Sequence, residues 1–457
     1  MMYFGLILIL FLILSVSALS SRRQKGKDFS GKKSASSALV LGGIVGTIVG
    51  GSSTVGTTQA AFSYGFSALW YTLGCSIGIL VFALVFSRRI YDSDKNTLLE
   101  IVSSRFGEKS GVTMSLLSAF GTTLSIVSQI LSGTALLSSI LPISPTFSLL
   151  VFILLVIVYV FFGGGISLGY MGILKTVLMA LGFGFCGIVA YFSIAPSLSS
   201  FPSYYFNLFY GGVWKNLSQV ISLALGIITG QNYSSALITG KTYKESRRAV
   251  IISAFIGPLI GLFCVMVGLY MKLNHPDTLS SSALPAFILL KMPPFLAGSL
   301  EGMLLLTLVG TTSGALYATS TIIYRGLLKN RFKNETALTR FLIIMILAAV
   351  SLVVMANKGD MILTWTFMGA GLRGAVSFFP LILALFYIKP MKKSCVLGSM
   401  IAAPVFTVLG TLLFPSLDIL PVFWGVLGSL IFTVLGMAFG GKETIEPRYS
   451  LIVKEIS

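Results

Sequence analysis

One histidine in 457 residues, four cysteines and fourteen acidic residues leave little material for catalysis or metal binding. His275 lies in a Pro- and Ser-containing loop, so a histidine-based metal or catalytic centre is not expected. Cys75, Cys186, Cys264 and Cys395 fall in or at the edge of apolar runs without metal-ligand spacing, and read as apolar core residues. Charged residues make up 10% of the chain, against roughly 25% in a soluble domain. There is no long polar stretch for a fused enzyme or sensor module. Nor does apolar/polar alternation dominate, which argues against a transmembrane barrel.

What fills the chain is apolar sequence, 55% hydrophobic with a mean hydropathy of +0.94. A helix needs about 20 apolar residues to cross a bilayer. Thirteen such runs are present, at 3–20, 38–64, 66–87, 111–139, 145–164, 168–193, 214–238, 249–272, 297–324, 341–356, 361–388, 394–414 and 419–440. The net charge of +18 is confined to short loops, so it reports topology and calls for no nucleic acid. One alternate set of loops (22–33, 88–109, 241–248, 325–340, 389–393 and the tail) holds 26 of the 32 Lys and Arg. The opposite set holds Lys215, Lys272, Lys291 and Lys358, and Lys175 and Arg373 fall within spans. The basic side is expected to be cytoplasmic, with the N-terminus outside and the C-terminus inside. The first run has basic residues after it and none before it, which favours an uncleaved anchor over a signal peptide.

Two spans are interrupted. The second carries "GGSSTVGTT" at 50–58, with glycine and hydroxyl residues on every face. Gly42, Gly46 and Gly50 alone would read as close helix packing. The run that follows reads as unwound backbone lining a cavity at the membrane midplane, the binding-site device of secondary transporters. Residues 50–56 are expected to be non-helical. The seventh span carries "LALGIITGQNYSS" at 223–235. The two interrupted spans stand five apart, which suits two inverted five-helix repeats.

At this point the chain resembles the sodium:solute symporter family of the APC superfamily. The likeness lies in "SSTVGTTQAAFSYGFSALWYTLG", "NTLLEIVSSRFGEKSG", "YVFFGGGISLGYMGILKTVLM", "GQNYSSALITGKTYKESRRAV" and "LLTLVGTTSGALYATSTII", five stretches in family order. The resemblance implies an all-α leucine-transporter-type fold. Its parts would be an extra helix at 1–20, repeats at 34–193 and 210–388, two further helices at 394–440 and a cytoplasmic tail at 441–457. It implies solute uptake by alternating access in a plasma membrane, no enzyme activity, no cofactor and, in most members, sodium coupling. A single chain suffices for such a fold, with the lipid bilayer as its surroundings. The family's sodium ligands would fall on the Gly46 and Val49 carbonyls and on Thr307, Gly310 and Thr311, which share one helix face. The family has serine where Gly310 stands, an acid where Gly172 stands and glutamine where Lys175 stands. Those departures put sodium itself in question. Packing of small residues remains an alternative for the 307–314 stripe.

Lys175 and Arg373 each cost about 2.5–3.5 kcal/mol at a helix centre, so each needs a partner, a wet cavity or a path to the interface. No acidic residue lies deep in a span; Glu301 stands near the outer end of one. An anionic substrate, a carboxylate, would supply the counter-ion for Arg373. Gly50, Gly51, Ser52, Ser53, Gln59 and Gln231 are the other substrate candidates; Ser53 aligns with a substrate-contacting position of sugar-transporting relatives. Lys175 is long enough to bring its ammonium to the Gly46 and Val49 carbonyls, where it would replace sodium or carry a proton for coupling. Snorkelling to the cytoplasmic side is its alternative. A membrane enzyme lacks acid, base and metal groups here. A sodium-independent carrier, an exchanger and a channel-like protein stay open beside cation-coupled uptake.

Overall fold

A computed structural model describes residues 1–8, 35–141, 143–163, 168–328, 332, 334–357, 359, 361–387, 391–414 and 419–438. Most of the expected anchor, Lys358 and the tail at 441–457 lie outside the described residues. Among the described residues the chain is helical throughout, with a single parallel bridge between Ala35 and Gly240. In chain order α1 is Ser37–Ile48, α2 Thr57–Tyr64, α3 Leu69–Val81, α4 Ser87–Tyr91 and α5 Leu98–Phe106. Then come α6 Glu108–Ile140, α7 Pro145–Gly163, α8 Leu168–Ile194, α9 Val213–Ile228 and α10 Gln231–Thr239. They are followed by α11 Tyr243–Asn274, α12 Ala283–Lys291, α13 Pro294–Ile323, α14 Glu335–Ala356, α15 Ile362–Phe386, α16 Lys393–Leu413 and α17 Val422–Ala438.

Eight helical stretches among these are long and apolar enough to cross a membrane, and five shorter apolar helices accompany them. The first of the eight, Ser52–Tyr91, turns at Gly65, whose φ of 60° is open to glycine at little cost. A side chain there would also strike Tyr205.

Both expected interruptions exist, and both are short. α1 ends at Ile48, and Val49 adopts extended backbone (φ −80°, ψ 94°). The helix then resumes as a π-helical turn over Ser52–Gly56 that runs directly into α2. The expectation of non-helical backbone across 50–56 is therefore corrected: only residues 49–51 leave the helix. The reason is local. Ser53 Oγ and Thr54 Oγ1 donate to the Gly50 carbonyl at 3.0 and 2.8 Å, Thr57 Oγ1 donates to the Ser52 carbonyl at 3.1 Å, and Gly56 N–H closes the wide turn on the Gly51 carbonyl at 2.8 Å. The hydroxyls that broke the apolar pattern are what rewinds the chain. The second break is narrower still, at Thr229 and Gly230 between α9 and α10.

The packing is reciprocal. α1 runs along α8, and α9 runs along α15; α11 covers α1, and α3 covers α9. Residues 2–6 lie against the Gly298 and Gly302 face of α13.

Candidate transport site

The first break is a helix end inside the bundle, so its orphaned backbone groups need partners. Gly50 N–H turns to Ser53 Oγ at 2.9 Å. Gly51 N–H donates to Gln129 Oε1 of α6 at 2.8 Å. In an unbroken helix Gly50 N–H would have bonded the Gly46 carbonyl. That carbonyl is free, and Lys175 Nζ of α8 donates to it at 2.9 Å. The ammonium therefore sits at the C-terminal end of α1, where the helix dipole presents negative charge.

Around the break the walls are polar and enclosed. Ser52 and Ser53 are each 1% exposed. Ser52 Oγ, Ser128 Oγ and Thr366 Oγ1 form a triangle of hydroxyls at 2.7, 2.8 and 3.1 Å, joining the break to α6 and α15. Thr311 Oγ1 of α13 donates to the Thr307 and Leu308 carbonyls at 2.9 and 3.1 Å and reaches Gln129 Oε1 at 3.4 Å. Gln129 thus ties the break to the helix bearing the implied cation ligands. A Cβ on Gly51 would lie 2.6 Å from Ser132 Cβ and 2.7 Å from Leu308 Cδ2, so the helices meet here at glycine distance. A Cβ on Gly310 would meet nothing within 4 Å. The space where the family's serine would stand is open.

Gly46, Val49, Gly50, Gly51, Ser52, Ser53, Thr311 and Lys175 come together as a group around or beside the break. Thr307, 2% exposed, lies one turn before Thr311 on α13. The other candidates go elsewhere. Gln59 Oε1 accepts from Ile362 N–H at 2.9 Å and caps α15. Gln231 holds the chain before α5, accepting from Leu98 N–H at 3.0 Å and donating to the Asn96 carbonyl at 3.2 Å. Arg373 lies at the second break: Nη2 donates to the Gly226 carbonyl at 2.9 Å, Nη1 reaches Thr122 Oγ1 at 3.4 Å, and Nε is buried without a hydrogen-bond partner.

Sequence reasoning missed Ser128, Gln129 and Thr366. Gln129 carried a signal, as the only carboxamide in the 33 residues of α6. The two hydroxyls carried none, because serine and threonine are scattered through every span. One exclusion was too strong: Glu301 is 1% exposed, with neither carboxyl oxygen hydrogen-bonded. It stands two turns into α13, on a helix that packs along α8, and no helical period reveals which face of that helix is covered.

The model of the sodium:solute symporter family matches residues 31–402. The chain belongs to that family. A sodium/proline symporter of Staphylococcus aureus is 24% identical over 392 residues, covering 78% of this chain and 74% of the relative. Among solved structures, a Na+-coupled sialic acid symporter in its substrate-bound outward-open state superposes with a TM-score of 0.75 at 19% identity, covering 96% of this chain and 97% of the other. A nucleobase-cation-symport-1 family transporter in a closed conformation follows with a TM-score of 0.61 at 11% identity, covering 90% and 93%. The fold is that of the leucine-transporter type, and the protein is a multi-pass membrane transporter that moves a small solute by cation-coupled secondary transport.

Proposed function

We propose that this symporter takes up a small organic carboxylate by alternating access, with the ammonium of Lys175 standing where other members hold sodium. The single observation that carries this reading is the 2.9 Å bond from Lys175 Nζ to the Gly46 carbonyl freed by the helix break. Three further features support it. Glycine replaces the ligand serine at 310, a Cβ there would meet nothing within 4 Å, and Thr311 spends its hydroxyl on α13 carbonyls and Gln129. Val49, Thr307 and Thr311 would complete a sodium shell only if the lysine withdrew, so the cation driving transport is read as the proton rather than sodium.

The substrate would meet Gly50, Gly51, Ser52 and Ser53 at the first break, with Gln129 and Thr366 as the partners it must displace. Gln59 and Gln231, bonded to backbone, fall outside this substrate shell. Arg373 Nε–H has no hydrogen-bond partner, and a carboxylate oxygen would satisfy it. The ten-helix core in this reading is two inverted five-helix repeats, 34–193 and 210–388, with one helix before and two after. The orientation is N-terminus outside and C-terminus inside a plasma membrane, the arrangement that the loop charges favour.

The test is uptake of a labelled metabolite library into proteoliposomes, with choline replacing sodium. Accumulation of an acid without sodium is the expected result. A neutral or cationic substrate, or strict sodium dependence, would refute the reading.

A further inference from the structure

Each broken helix frees, among its terminal carbonyls, the one four residues before its glycine. At the first break Gly50 N–H leaves the Gly46 carbonyl for Ser53 Oγ. At the second, Gly230 N–H closes on the Ile227 carbonyl at 3.0 Å and leaves the Gly226 carbonyl instead. Both orphans are taken by a cation, Lys175 Nζ at 2.9 Å and Arg373 Nη2 at 2.9 Å.

The correspondence extends to the sequence and the helix order. "GTIVGG" at 46–51 matches "GIITGQ" at 226–231, and Leu174-Lys175 matches Leu372-Arg373. Counting the bent α1–α2 as first, with α3–α4 second and α6 and α7 third and fourth, Lys175 stands on the fifth helix, α8. Counting α9–α10 as first, Arg373 stands on the fifth, α15. α8 packs along α1, and α15 packs along α9. Each cation lies at the C-terminal end of a half-helix, where backbone dipoles offset part of the cost of a charge at membrane depth.

We infer that the two breaks are twin cation sites related by the inverted repeat, one filled by an ammonium and the other by a guanidinium of the chain itself. Emptied of its side chain, each site binds a free monovalent cation of matching shape. The first site is shared with the proposed coupling; the second is independent of it and of any carboxylate that Arg373 Nε–H would hold.

No transported solute is needed to test this. The unfolding temperature of the purified protein in detergent is measured for the wild type, Lys175→Ala and Arg373→Ala. Each is titrated with sodium chloride, methylammonium chloride and low-millimolar guanidinium chloride, against choline chloride at matched ionic strength. Guanidinium is expected to raise the unfolding temperature of Arg373→Ala saturably and to leave the wild type and Lys175→Ala unraised. Sodium or methylammonium is expected to do the same for Lys175→Ala alone. Should an alanine variant fail to fold, Arg373→Gln and Lys175→Gln take its place. A response of the lysine variant alone overturns the twin sites and leaves the coupling reading standing. A response of the arginine variant alone, or of neither, also overturns them.

Discussion

Lys175 was the most legible residue of the site. A lysine stem one to two turns inside an apolar span is long enough to reach the neighbouring helix, and the carbonyl it meets is the one that a break at Gly50 must free. Arg373 was legible as an intramembrane charge but not as to partner, because a helix supplies no carbonyl until it is broken. Gln231 misled: a carboxamide in an apolar run signals a polar contact, and here that contact is the backbone of residues 96–98. Two outcomes belong to this scale. Arg373→Gln should abolish uptake of an acid, by roughly thirtyfold or more if the pair is worth at least about 2 kcal/mol, while surface expression stays normal. Preserved uptake would detach Arg373 from the substrate. Gln129→Leu leaves Gly51 N–H unsatisfied inside the bundle and should cost about 1–3 kcal/mol of stability. An unfolding temperature equal to wild type would show that water replaces the carboxamide.

The elements were easier to place than to shape. Apolar runs separated by basic loops located the helices, and glycine with hydroxyl residues located both breaks. What sequence pattern did not reveal is how short a break becomes when Ser53, Thr54 and Thr57 bond back to the chain. Periodicity counts residues per turn; it does not distinguish a π-turn from unwound backbone. Glycine substitutions separate packing from space. Gly51→Ala should destabilise by about 1–3 kcal/mol, since its Cβ would overlap Ser132 and Leu308. Gly310→Ala should be close to neutral, since its Cβ enters open space. Thermal unfolding of the two variants side by side checks both, and equal shifts would mean that the break is not closely packed.

For the whole molecule, composition was sufficient to indicate a multi-pass helical membrane protein, the interrupted spans pointed to a transporter, and five short stretches in order named its family. The burial of Glu301 was not legible, because it depends on how α13 packs among its neighbours rather than on its own sequence. The orientation predicts that a cysteine introduced at Lys244 is modified only from the cytoplasmic side, and one at Asp277 only from outside. Labelling of intact cells with an impermeant maleimide reads this directly, and reversed labelling would invert the topology. The central claim is that an ammonium of the chain holds the cation position at the first break. Its most direct test is uptake driven by an imposed pH gradient in sodium-free proteoliposomes, for the wild type and Lys175→Gln. The account predicts accumulation by the wild type without sodium and loss of that accumulation in the variant. Strict sodium dependence, unchanged in Lys175→Gln, would contradict it.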